Sequence, residues 1–177
     1  MKKLPIDFDE LQKATEDTER EAFDYFLDRE TGEIIILSTE IIEKMEEMLA
    51  ASYDDDIADF DDVEQEEIPD VPDWMEDEME LAMDVFMFEQ ERYQRVPERR
   101  PADAFAAMKA FAETLDNRHV GEMLLQSLGG QGCFRKFKDV IAPFPRERKL
   151  WYGFNAKAAK REIQEWLASA GISADLD

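Results

Sequence analysis

The sequence predicts an α+β fold, mainly α, with an N-terminal helix, β-hairpin and helix, then an acidic linker, then a compact C-terminal helical bundle. Three observations predict it. Apolar residues recur at helical spacing from Trp74 onward. An alternating stretch on either side of Gly32 reads as a hairpin. The run from Tyr53 to Asp73 is more than half acidic, and its few apolar residues follow no core period. The divisions that follow are a helix-hairpin-helix unit over 1–53, a linker over 54–73 and a helical subdomain over 74–177.

Ile6, Phe8, Leu11 and Ala14 set the face of a first short helix. In the hairpin, Phe23, Tyr25 and Leu27 take every second position on one arm, with the acids Asp24 and Asp28 among them, Ile34 to Leu37 form the other, and Gly32 supplies the left-handed turn position. Ser38 is the N-cap of a helix running through Ile41, Met45, Met48 and Leu49, with Leu37 and Ile42 placed to staple its start. Asp54 and Asp56 faintly resemble a calcium loop. The central glycine and the third ligand are missing, so no metal site is expected.

Trp74 to Tyr93 is expected to form one helix, with Met75, Met79, Ala82, Phe86 and Tyr93 on one face and Met83, Met87 and Phe88 on a second. A basic joint follows, with Arg92, Arg95, Arg99 and Arg100 around Pro97 and Pro101. Next come a helix from Pro101 to Leu115 and one from Asp116 to Leu128, with Asp116 as N-cap and Leu115 with Val120 as staple. The single histidine, His119, reads as helix surface, because no nucleophile accompanies it in a recognisable motif.

The segment 129–154 concentrates glycine, proline, aromatic and basic residues. Phe134, Phe137, Val140 and Ile141 give a helix with one buried stripe, and Pro143 and Pro145 predict its end near Ile141. A short turn placing Leu150, Trp151 and Phe154 on the same core is expected next, then a last helix capped by Asn155 and ended by Gly171. Gly130 and Gly132 could aim backbone N–H groups at an anion, with Arg135 and Lys136 one turn in. A plain turn needing positive φ is the favoured reading, since the segment lacks the Gly-Lys-Ser/Thr ending and the preceding strand that phosphate and dinucleotide loops require.

The runs GCFRKFKDV, RERKLWYGF and IQEWL, together with YFLDRETGEII near the start, resemble a bacterial family known as uncharacterised protein family 0158. The resemblance implies an intact domain of bacterial origin. It supplies no catalytic residue.

At 177 residues the chain is long enough for one cored domain with a small appendage. Cys133 is the single cysteine, which rules out an internal disulfide, suits a reducing compartment and reads as a small buried hydrophobe. MKKLPIDFDELQ has no apolar run after its lysines, and no stretch approaches the roughly 18 apolar residues of a membrane span, so a cytoplasmic protein is expected. The net charge of −23 is uneven. Residues 1–90 hold 32 Asp/Glu and 6 Lys/Arg, whereas 91–177 hold 12 and 15.

Such an acidic chain is repelled by nucleic acid at long range, but its basic cluster acts independently beyond a Debye length of about 8 Å. The carboxylates form a dense field, with no sign of the contrasting pair that acid–base chemistry needs, and no cofactor fingerprint is present. The expectation is therefore a non-enzymatic protein-interaction module whose acidic N-terminal half engages or masks a basic surface, its partner a protein carrying such a surface. The alternative is binding of phosphate or nucleic acid through Gly130, Gly132, Arg135, Lys136, Lys138, Arg146, Arg148 and Lys149, with Trp151 and Tyr152 as stacking surfaces.

Overall fold

The computed structural model describes residues 1–54 and 72–175, and the fold is α+β, mainly α. The acid-rich stretch read as a linker lies, from 55 to 71, outside the described residues. The chain forms two compact units that divide it elsewhere than the composition suggests. The first comprises Met1–Lys3, Asp7–Thr18 and Pro97–Asp177, and the second Leu4–Ile6 and Glu19–Val96.

In the second unit, β2 (Phe23–Asp28) pairs antiparallel with β3 (Ile34–Ser38) on one side and with β4 (Tyr93–Arg95) on the other. Gly32 turns the hairpin at φ 84°, and a Cβ there would stand 2.5 Å from the Pro5 carbonyl oxygen, so glycine is needed for space as well as for conformation. Helix α2 (Thr39–Asp54) starts where the sequence places it, with Ser38 Oγ accepting from the Ile41 N–H at 3.3 Å. Helix α3 (Asp73–Met83) then lays Met75, Met79 and Ala82 against Phe26, Leu37, Ile41 and Met45. This packing is why the Trp74 segment groups with the hairpin and not with the C-terminal helices.

The single helix expected to Tyr93 is corrected. A π-helical turn occupies Asp84–Phe88, and the chain then enters β4. The wider turn brings Phe86 edge-on to Phe26 at 5.2 Å.

Asp28, at the end of β2, locks this unit. Its carboxylate accepts from the Glu30 and Thr31 N–H groups of the hairpin turn and from Nε and Nη2 of Arg92, at 3.0 and 2.8 Å. The Arg92 hydrogen bonds hold the buried acid at a pKa of about 2, below its ordinary 3.8. Because the folded value is the lower one, the stabilisation is fully present above about pH 4 and is lost as pH falls through about 2. It amounts to about 2 kcal/mol. Urea unfolding of the wild type and of Asp28→Asn should therefore differ near neutral pH and converge toward pH 2. A gap independent of pH would remove Asp28 as the titrating group.

In the first unit, α1 (Phe8–Glu16) is capped by Asp7, which accepts from Glu10 N at 3.0 Å. Helices α4 (Pro101–Thr114), α5 (Arg118–Ser127), α6 (Cys133–Ile141) and α7 (Pro145–Ser169) enclose Phe111, Leu124, Phe137, Ile141 and Trp151. The cap of α5 is Asn117, whose Oδ1 accepts from Val120 N at 3.3 Å, and not Asp116. Gly171 ends α7 at φ 76° as predicted and buries Ile172, which opens a short strand, β5 (Ile172–Asp175). The N-terminal strand β1 (Lys2–Pro5) pairs with it, Lys2 N donating to Gly171 O at 3.0 Å.

The main correction in this unit concerns α7. The sequence predicts a short turn and then a helix starting after Asn155, but one helix runs 25 residues from Pro145. Proline in the first turn has the helical φ already set and lacks only an N–H that would have no intrahelical partner, so Pro145 starts the helix. Asn155 lies inside it, and Leu150 is exposed instead of turned to the core.

Candidate functional site

Continuity of α7 through Gly153 creates a surface that two separate segments would not have. Arg146, Lys149, Leu150, Gly153, Phe154 and Lys157 follow one another at helical spacing and share a face. Opposite them stand Phe111, Thr114 and Leu115 from the end of α4, and Asp116. Together these residues line an open groove of about 540 Å³, within the size range of ligand sites.

The floor of this groove is apolar. Phe111 is buried, with its ring 5.4 Å from Trp151 and 5.5 Å from Phe154. Trp151 in turn meets Phe137 edge-on at 5.0 Å. On the rim, Arg146, Lys149 and Lys157 are exposed, and among the described residues no carboxylate lies within ion-pair distance of any of the three. Their attraction is thus available to a ligand. Among the described residues, Asp116 is the one acid on the rim.

Gly153 sits at the centre, and a Cβ added there would meet nothing within 4 Å. Glycine inside a helix costs about 0.5–1 kcal/mol relative to alanine. The packing of the unit gives no reason for that cost.

The other predicted residues scatter around this groove. Gly130 and Gly132 take positive φ, 82° and 70°, and Gly132 caps α6, where they serve the turn. Arg135, Lys136 and Lys138 are exposed along α6, and Arg148 donates to the Ala142 carbonyl at 3.3 Å. Trp151 corrects the expectation of a stacking surface. It is 7% exposed within the aromatic core, which leaves Tyr152, 61% exposed, as the free ring of the pair. Residue type alone does not mark Leu150, Gly153, Phe154 and Lys157 as site residues, and their common face on α7 is the signal that does.

The arginine joint is spoken for. Arg92 pairs with Asp28, Arg95 with Asp24, Arg99 with Glu162 and Arg100 with Asp103. Arg99 is 9% exposed. Its guanidinium donates to both Glu162 oxygens at 2.9 and 3.2 Å and to Asn155 Oδ1 at 2.6 Å, while Asn155 Nδ2 donates to Glu16 at 3.2 Å. A second concavity of about 430 Å³ adjoins this cluster, lined by Glu98, Arg100, Asp103, Glu165 and Trp166 among others. Its arginines are committed to structural pairs, which makes the groove the better candidate.

Among the described residues no group of His, Cys, Asp and Glu is arranged to hold a metal ion, and no helix is long and apolar enough to cross a membrane. A family model described as "Uncharacterised protein family (UPF0158)" matches residues 1–176. No curated protein and no solved structure matches the chain.

Proposed function

This chain belongs to the uncharacterised protein family UPF0158, and on that premise we propose a non-enzymatic protein-interaction module whose acidic first half engages or masks a basic surface. The observation that carries the reading is the groove, where three cations without ion-pair partners among the described residues surround an apolar floor. Residues 129–161 hold nine Lys/Arg and two acids, so the local field there is positive although the chain as a whole is strongly negative. Exposed pairs contribute only about 0–1 kcal/mol each, so the charges select and steer a polypeptide while apolar contact holds it.

A zero-length carbodiimide cross-link on the intact chain, mapped by mass spectrometry, tests this. Lys149 or Lys157 should join to Asp or Glu of residues 1–90 or of a partner protein at low ionic strength. The products should fade in concentrated salt, where the Debye length shrinks to about 3 Å at 1 M. Lysine products that ignore salt, or none at all from Lys149 and Lys157, would count against the proposal.

The nucleic-acid reading draws support from the exposed Tyr152 beside Arg148 and Lys149. It requires single-stranded probes to bind with a steep salt dependence that Tyr152→Ala weakens.

A further inference from the structure

We propose that the groove takes an acidic segment of another polypeptide, anchored by one aromatic or large aliphatic side chain seated over Gly153. The inference rests on the interaction-module reading and adds to it the chemistry of the partner. Charge complementarity identifies the occupant. The rim offers Arg146, Lys149 and Lys157, and Leu150 and Phe154 offer apolar surface over the buried Phe111 and Leu115, a combination that matches carboxylates flanking an apolar anchor. A phosphate or a small anion would satisfy the cations but leave Leu150 and Phe154 uncovered.

Gly153 locates the anchor. Its missing side chain opens the helix surface between Lys149 and Lys157, and among the described residues no group fills that space, since a Cβ would have no neighbour within 4 Å. Leu150, half exposed one turn before it, and Phe154 beside it form the walls. An anchor lying here covers Leu150 and reaches the ring of Phe154, which tilts against Phe111. Such a contact turns the destabilising glycine into a binding feature.

Spacing fixes the rest of the motif. Lys149 and Lys157 each lie four residues from Gly153, which is about 6 Å along the helix in either direction. In an extended partner, at about 3.3 Å per residue, carboxylates two positions before and after the anchor fall opposite the two lysines. The recognised pattern is acid, any residue, anchor, any residue, acid.

The experiment uses the full chain and a fluorescein-labelled Asp-Ser-Phe-Ser-Asp peptide, followed by anisotropy at low ionic strength. The wild type is expected to bind, and a probe with alanine in place of phenylalanine to bind about tenfold more weakly. Gly153→Ala is expected to weaken binding by about tenfold as its methyl group fills the notch, while raising the melting temperature by about 2–4 °C. The opposite signs matter, because a variant that merely damaged the fold would lose both. Lys149→Glu with Lys157→Glu should abolish binding.

If charge reversal abolishes binding while Gly153→Ala and the alanine probe leave affinity unchanged, the anchor is overturned and the charge-based reading stands. If the probe does not bind the wild type at all, the inference fails. The cross-linking result then decides the broader reading by itself.

Discussion

Replacing Phe137 with alanine is expected to lower the stability of the first unit by about 3–5 kcal/mol, the largest loss from any single core truncation we foresee. The side chain is fully buried on the inner face of α6, among Ile141, Leu124 and the ring of Trp151. Its removal forfeits apolar burial and leaves a ring-sized cavity that α6, held between the Gly132 turn and Pro143, has little freedom to close. The effect reaches the groove, because Trp151 is the contact through which Phe137 supports Phe111 and Phe154. Urea unfolding followed by tryptophan fluorescence should show the loss, and the melting temperature should fall by roughly 10 °C. Phe137→Leu, which keeps most of the volume, should retain more than half the stability lost by alanine. Equal losses for the two variants would mean that the cavity is not the cause.

Replacing Arg99 with alanine is expected to cost about 2–3 kcal/mol. Removing one partner of a buried pair leaves the other uncompensated, which typically costs about 3–5 kcal/mol, and the partial exposure of Glu162 and Glu16 reduces the figure. The guanidinium joins α1 to α7 through Glu162, Asn155 and Glu16, and its backbone N–H donates to Thr15 O at 2.6 Å. Arg99→Lys keeps the charge but loses the two-pronged contact with Glu162, so it should recover no more than half of the loss. Chemical denaturation of both variants beside the wild type checks this order. A loss below about 0.5 kcal/mol for alanine would show that the cluster is solvated in solution.

Much of the fold was legible where one side chain settles a local choice. Ser38 and Gly171 mark helix ends because their backbone chemistry has few alternatives, and Phe137 and Ile141 mark a buried stripe because period and polarity agree. Strands β1, β4 and β5 were not legible. Each has only three or four residues, too few for alternation to show, and β4 is joined to β2 by partners distant in sequence.

The groove was half legible. Arg146 and Lys149 stood out as basic residues, but Pro145 read as the end of a helix and Asn155 as the start of one, which hid the face shared with Gly153 and Lys157. Whether a proline starts or stops a helix depends on whether the next ten residues have a core to lie against, and here they have Phe111 and Phe137. The burial of Trp151 was hidden for the same reason, since its direction is fixed only once α7 is continuous.

The interrupted course of the first unit bears on how the protein is made. Helix α1 is finished within the first 16 residues, yet its packing partners lie on α7, which ends at Ser169, with the whole second unit encoded between them. On the ribosome, at about 5–20 residues per second, the segment from Glu19 to Val96 can emerge and close its own core while α1 waits several seconds for its partner. During that interval Leu11 and Ala14 have no partner core to enter. Nascent chains arrested once Val96 has cleared the ribosome should therefore protect the hairpin and α3 from protease and leave α1 open to cleavage, with protection of α1 arriving only after α7 has followed.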